Sequence, residues 1–208
     1  MNYRIVSVSD GSVKGFFAWA FAYSSWYTKM MMSGSNPFLV FRCTDKVTQK
    51  INGYRNDDSE VSHPFLDWTI HLFRANRVQY LIYTNTASLL SFVSYGSGIT
   101  DDTALIKDAI STIRDGLKSA GLIGRYEKYI GPSVGAVVFT KTNSRVVLGS
   151  MNDLIHSAKW LIENRDHSPF SVSMEINQMP MKAIKYDSPL ESFKKLENYL
   201  MIQQFNTK

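Results

Sequence analysis

Lys141, Asn143 and Arg145 alternate along the polar stretch Lys141-Thr142-Asn143-Ser144-Arg145, and Gly149-Ser150-Met151-Asn152-Asp153 follows closely. Two cations beside a helix start are the ingredients of an anion site. Backbone N–H groups at a helix N-terminus can hold a phosphate or carboxylate, and a guanidinium supplies the matching charge. Turn and capping requirements account for much of the same block: Asn143-Ser144 suits a hairpin turn, Gly149 frees the backbone, and Ser150 with Asp153 has the spacing of a capping box that uses the shorter acid. Lys141 and Arg145 are what those requirements leave over. The candidates for binding an anion or a partner are therefore Lys141, Asn143, Arg145, Ser150 and Asn152, joined by Trp68 beside Asp67, although Trp68 also suits packing against a sheet.

Other chemistry has less behind it. The chain contains no phosphate-binding loop, no Gly-x-Gly-x-x-Gly, no His-Glu-x-x-His and no Gly-x-Ser-x-Gly. Gly96-Ser97-Gly98 is too short for a dinucleotide fingerprint and reads as a loop. His63, His71, His156 and His167 are dispersed, and their spacing suggests no metal site and no cofactor. An enzyme acting on a phosphorylated or nucleic-acid substrate would have to gather Lys141, Arg145 and Asp153 with His71 or His156 in one pocket.

At 208 residues and 44% apolar, the chain can bury a sizeable core. A formal charge of +5, with lysines and arginines scattered rather than in runs, allows nucleic acid or another anionic partner without demanding one. A protein partner is equally compatible. The single cysteine, Cys43, excludes an internal disulfide, fits a reducing cytoplasm and lies in an apolar run that suits a buried thiol.

Residues 1–35 read as an N-terminal extension to a globular domain of residues 36–208. Gly15 to Tyr23 is rich in aromatics, Trp26-Tyr27 follows, and Met30 to Met32 offer later translation starts. The apolar run is too short to cross a bilayer. It could serve as a signal peptide ending at Ala20-x-Ala22 or as an interfacial anchor, so membrane association depends on residues 15–27 being present and exposed.

The elements that must position the candidates follow from periodicity and punctuation. Residues 37–43 form a strand, and Thr44 caps a helix that Asn52-Gly53 ends. A second helix opens at Ser62 or His63 with Pro64 in its first turn and shows Phe65, Leu66, Thr69, Ile70 and Phe73 at helical spacing. Strands 78–84 and 89–95 pair across a turn at 85–88. Asp101 and Asp102 start an amphipathic helix that Gly121 stops, and a shorter helix spans 123–130. A hairpin from Val134 to Gly149, a helix from Ser150, a strand over 170–176 and a helix opened by Ser188-Pro189-Leu190-Glu191 complete the series. Hairpins alternating with helices predict an α+β fold, a mainly antiparallel sheet with amphipathic helices packed on it.

From about Phe38 to Leu190 the chain resembles a bacterial family known only as a domain of unknown function. The resemblance lies in Phe41-Arg42-Cys43-Thr44-x-Lys46, Asp67-Trp68, Tyr80 to Asn85 with Ser88-Leu89-Leu90, Lys141-Thr142-x-x-Arg145-x-Val147-x-Gly149-x-Met151-Asn152-Asp153, and Ile176-Asn177-x-x-Pro180-Met181 with Tyr186-x-Ser188-Pro189. It implies a bacterial or phage source and a shared fold, but no substrate, cofactor or catalytic residue. The sequence thus points to a non-catalytic interaction or regulatory module in the cytoplasm, with the enzyme above as its alternative.

Overall fold

A computed structural model describes residues 38–53, 55 and 63–206, with side chains described as far as residue 198. The expectations for residues 1–35 and for most of the loop 54–62 lie outside the described residues. Strand β1 (Leu39–Cys43) is fully buried, and helix α1 (Asp45–Ile51) follows. Asn52 ends α1 in the left-handed region at φ 48°, as the Asn-Gly pair predicts.

The helix expected after Pro64 is instead a single 3-10 turn, Pro64–Leu66, followed by strand β2 (Asp67–Ala75). β2 lies inside the sheet with both faces covered. Trp68 and Ile70 enter one core while Phe73 and Ala75 enter the other, so apolar residues fall on both faces and imitate helical spacing. The Trp, Thr, Ile and Phe content favours a pleated surface.

β2 turns through Asn76 and Arg77, at φ 45° and 65°, into β3 (Val78–Asn85). Two positive φ values are what a two-residue type I′ hairpin needs, because its twist matches that of the strands. β4 (Ser91–Tyr95) returns antiparallel to β3, as expected. Helix α2 (Asp102–Ser119) starts where the sequence places it: the Asp101 carboxylate accepts from the Ala104 N–H, and Gly121 follows the helix at φ 72°.

The expected hairpin 134–149 supplies one strand only, β5 (Val137–Lys141), which pairs parallel with β1. Its second half is the first turn of helix α3 (Arg145–Arg165), capped by Ser144 Oγ accepting from Val147 N–H. The buried face Val147, Met151, Leu154, Ile155, Ala158, Leu161 and Ile162 is continuous, so the apolar period begins one turn and more before Ser150. Residues 170–176 are likewise helical, in α4 (Pro169–Ile176). Ser168 caps it, Pro169 fits its first turn, and Val172, Ser173 and Ile176 turn inward at helical spacing. Helix α5 (Pro189–Asn206) ends the described chain.

The fold is α+β, as expected, and the sheet is mixed, not purely antiparallel. Its order is β4-β3-β2-β1-β5, with β1 parallel to both neighbours and β2, β3 and β4 antiparallel. One core lies between the sheet and α1, α2 and α5; the other lies between the opposite face and α3 and α4. No helix among the described residues is long and apolar enough to cross a membrane.

Candidate functional site

The structure separates most of the residues nominated by the sequence. Lys141 and Asn143 are exposed at the end of β5, and Arg145 is exposed in the first turn of α3. Gly149 to Asn152 lie within that helix, where backbone N–H groups bond to carbonyls four residues earlier. The anion cradle expected of those N–H groups is therefore not there; the helix start is at Ser144. Ser150 is buried, whereas Asn152 and Asp153 are exposed. Arg145, Asn152 and His156 share one solvent-facing stripe of α3, at i, i+7 and i+11.

Trp68 is a core residue. Its ring is fully buried, stacks at 6.3 Å on Phe92, and its Nε1 donates to Phe65 O at 2.9 Å. The neighbouring Asp67 accepts from Arg42 Nε at 2.9 Å and from Thr86 Oγ1 at 2.9 Å, which ties β1 and β2 together through a partly buried ion pair. Burial depresses His71, whose Nδ1 lies 2.8 Å from Leu72 O, and lowers His63 to about 4. Among the described residues no three His, Cys, Asp or Glu side chains gather as a metal site would require.

What the structure does bring together lies at the other edge of the sheet. A groove of about 550 Å³ opens between β4, α2 and α4, in the size range of ligand pockets. Ser94 and Tyr95 contribute from β4, Asp108, Thr112 and Asp115 from α2, and Phe170 from α4. Ser94 Oγ donates to Asp108 Oδ2 at 2.6 Å, and the Tyr83 hydroxyl donates to the same oxygen. Burial and the Asp108 carboxylate hold the Tyr83 phenol protonated, well above its ordinary range. Asp108 Oδ1 takes no hydrogen bond from any described residue. No lysine, arginine or histidine is among the described residues lining the groove.

The backbone of β4 adds a second feature. Gly96 N–H bonds to Gln79 O and Asn85 N–H to Leu90 O, both at 2.8 Å. The ladder alternation then turns the N–H and C=O of Ser91, Val93 and Tyr95 outward, away from β3. Helix α4 satisfies the first part of this edge with side chains. Asn177 Oδ1 accepts from Ser91 N–H at 2.8 Å, Asn177 Nδ2 donates to Ser91 O at 2.6 Å, and Ser173 Oγ accepts from Val93 N–H at 2.8 Å. Val93 C=O and Tyr95 N–H have no partner among the described residues, and both residues line the groove.

A family model described as a domain of unknown function, DUF6933, matches residues 40–192. The chain belongs to this family. The match runs from β1 to the first turn of α5, so the groove and the Lys141–Asp153 block both lie inside the DUF6933 region. No curated protein matches the chain. Local spacing could not have signalled the DUF6933 groove, because Asp108, Ser94 and Tyr83 meet only through the packing of α2 on β3 and β4. The one available sign was an excess of small polar residues, Ser91, Ser94, Ser173 and Asn177, in segments otherwise apolar.

Proposed function

We propose that this chain is a non-catalytic interaction module, working in the cytoplasm of a bacterium, that holds its partner in the groove between β4, α2 and α4. The observation carrying this reading is the open stretch of the β4 edge, Val93 C=O and Tyr95 N–H, facing a groove whose rim exposes Tyr95 and Phe170 at 56% and 52%. Unpaired edge groups beside exposed aromatics are how sheets receive polypeptide. Asp108 and Asp115 would repel phosphate, which favours a protein partner over nucleic acid at this groove. The lone thiol, Cys43, is buried and suits a reducing compartment.

Selection from a random displayed-peptide library, with the selected peptides mapped by amide chemical shifts, tests the reading. Shifts should concentrate on Ser94 to Ser97, Thr112 and Phe170. Shifts confined to Lys141–Asp153 would refute it.

A further inference from the structure

The same groove has a chemistry of its own, and the inference drawn from it rests on the reading above. We propose that the groove receives an extended peptide segment that adds as a strand to β4 and places a lysine or arginine side chain against Asp108.

Strand register leads to this assignment. Val93 N–H is already taken by Ser173 Oγ, so pairing must rest on Val93 C=O and Tyr95 N–H. A strand added beside residue i uses the carbonyl of residue i−1 and the N–H of residue i+1, bonded by the facing residue itself when parallel and by that residue's two neighbours at a wide pair when antiparallel. Val93 C=O and Tyr95 N–H are such a pair, with Ser94 as residue i. The incoming residue then lies beside Ser94 and shares its face of the sheet. Ser94 faces α2 and bonds to Asp108, so the incoming side chain is aimed at that carboxylate. Its neighbours in the peptide project to the opposite face, where Tyr95 is exposed.

Charge selects the side chain. Tyr83 and Ser94 both donate to Oδ2 of Asp108, which fixes the carboxylate and leaves Oδ1 for a donor from the ligand. Asp115, exposed on α2 two turns further along, adds a second negative charge, and no cation among the lining residues neutralises either one. An acidic segment would meet repulsion, and a purely apolar one would leave Asp108 desolvated without a partner.

Fluorescence anisotropy with the full chain and a fluorescein-labelled, C-terminally amidated peptide Thr-Val-Lys-Val-Thr tests the proposal. Saturable binding is expected, with the norleucine and glutamate versions at least about tenfold weaker, since a charge-assisted hydrogen bond is at stake. Methylating the backbone nitrogen of the central lysine, or of the valine after it, removes the N–H meant for Val93 C=O in a parallel or an antiparallel strand, and one of the two should weaken binding by a similar factor. Tyr95→Pro should abolish binding while leaving the circular dichroism spectrum intact, because the lost N–H points away from β3. Should that variant not fold, the two methylated peptides still decide the matter.

Equal affinity of the lysine and norleucine peptides, indifference to both methylations, or acetyl-lysine amide binding as tightly as the peptide would each overturn strand addition with a basic residue. The absence of binding by any of these peptides would overturn it as well. Library peptides that map to the groove but lack a basic residue would refute this inference and leave the interaction-module reading standing. Library peptides that map only to Lys141–Asp153 would remove both.

Discussion

Asn177→Ala should destabilise the fold more than the loss of one surface amide would. Asn177 sits at the end of α4 and is 3% exposed, with its amide bonded to both backbone groups of Ser91, itself fully buried. Truncation leaves a buried N–H and a buried C=O without partners. Each orphaned group costs about 1–3 kcal/mol, so the loss is about 2–6 kcal/mol. Whole-domain stability is about 5–15 kcal/mol, which makes this a large fraction of the total. Urea melts followed by circular dichroism should show the midpoint falling by about 0.7 M or more, for a slope of about 1–3 kcal/mol per M. Ser173→Ala orphans only Val93 N–H and should cost about 1–3 kcal/mol. Gln178→Ala, exposed on the neighbouring residue, should stay within about 0.5 kcal/mol. Amide exchange supplies the local check, because Ser91 should lose protection beyond the global change. A loss below about 1 kcal/mol in Asn177→Ala, with Ser91 still protected, would refute the view that α4 seals this edge through side chains.

Gly116→Ala should be destabilising by about 1–3 kcal/mol although alanine is the better helix former, because a Cβ there would lie 2.3 Å from Phe92 Cδ1; thermal melts of the variant read the sign. The Cys43 thiol, pushed up to about 12 by burial, should remain unreacted with a disulfide reagent at pH 8 in the native protein and react within the mixing time in urea. His63, whose ring packs at 5.3 Å from Tyr129, prefers its neutral form when folded, so the unfolded chain binds more protons between pH 6.5 and about 4. Stability from this site is present above pH 6.5 and lost as pH falls toward 4. Denaturant melts across that window should show a slope that His63→Phe reduces, and His63 itself titrating near 6.5 by NMR would contradict the assignment.

Local punctuation in the sequence makes part of the fold legible. Asp101 and Gly121 bracket α2 because a carboxylate cap and a positive-φ glycine are written within single residues, and Ser188 caps α5 by the same logic, its Oγ accepting from Glu191 N–H at 3.3 Å. The errors share a cause. β2, buried on both faces, has no alternation to betray it, and its apolar run passes for a helix stripe. In α3 two serines six residues apart both resemble caps, and only tertiary burial of Val147 selects Ser144 over Ser150. Ser168-Pro169 carried a helix-start signal that the β-prone Phe170 and Val172 obscured. The groove left only its excess of small polar residues in the sequence, because its carboxylate, hydroxyls and open backbone are contributed by three segments and converge only when α2 and α4 pack around the β4 edge.

The position of β1 bears on the birth of the protein. β2, β3 and β4 are contiguous and can pair as soon as residue 95 has left the ribosome, whereas β1 needs β5, which begins at residue 137. At about 5–20 residues per second, the outer edge of Leu39-Val40-Phe41-Arg42-Cys43 waits roughly 5–20 s for its partner. During that interval an apolar strand destined for the sheet interior is an unprotected seam. Chaperone demand during synthesis should therefore rise when translation is slowed between residues 43 and 137, and fall again once β5 emerges.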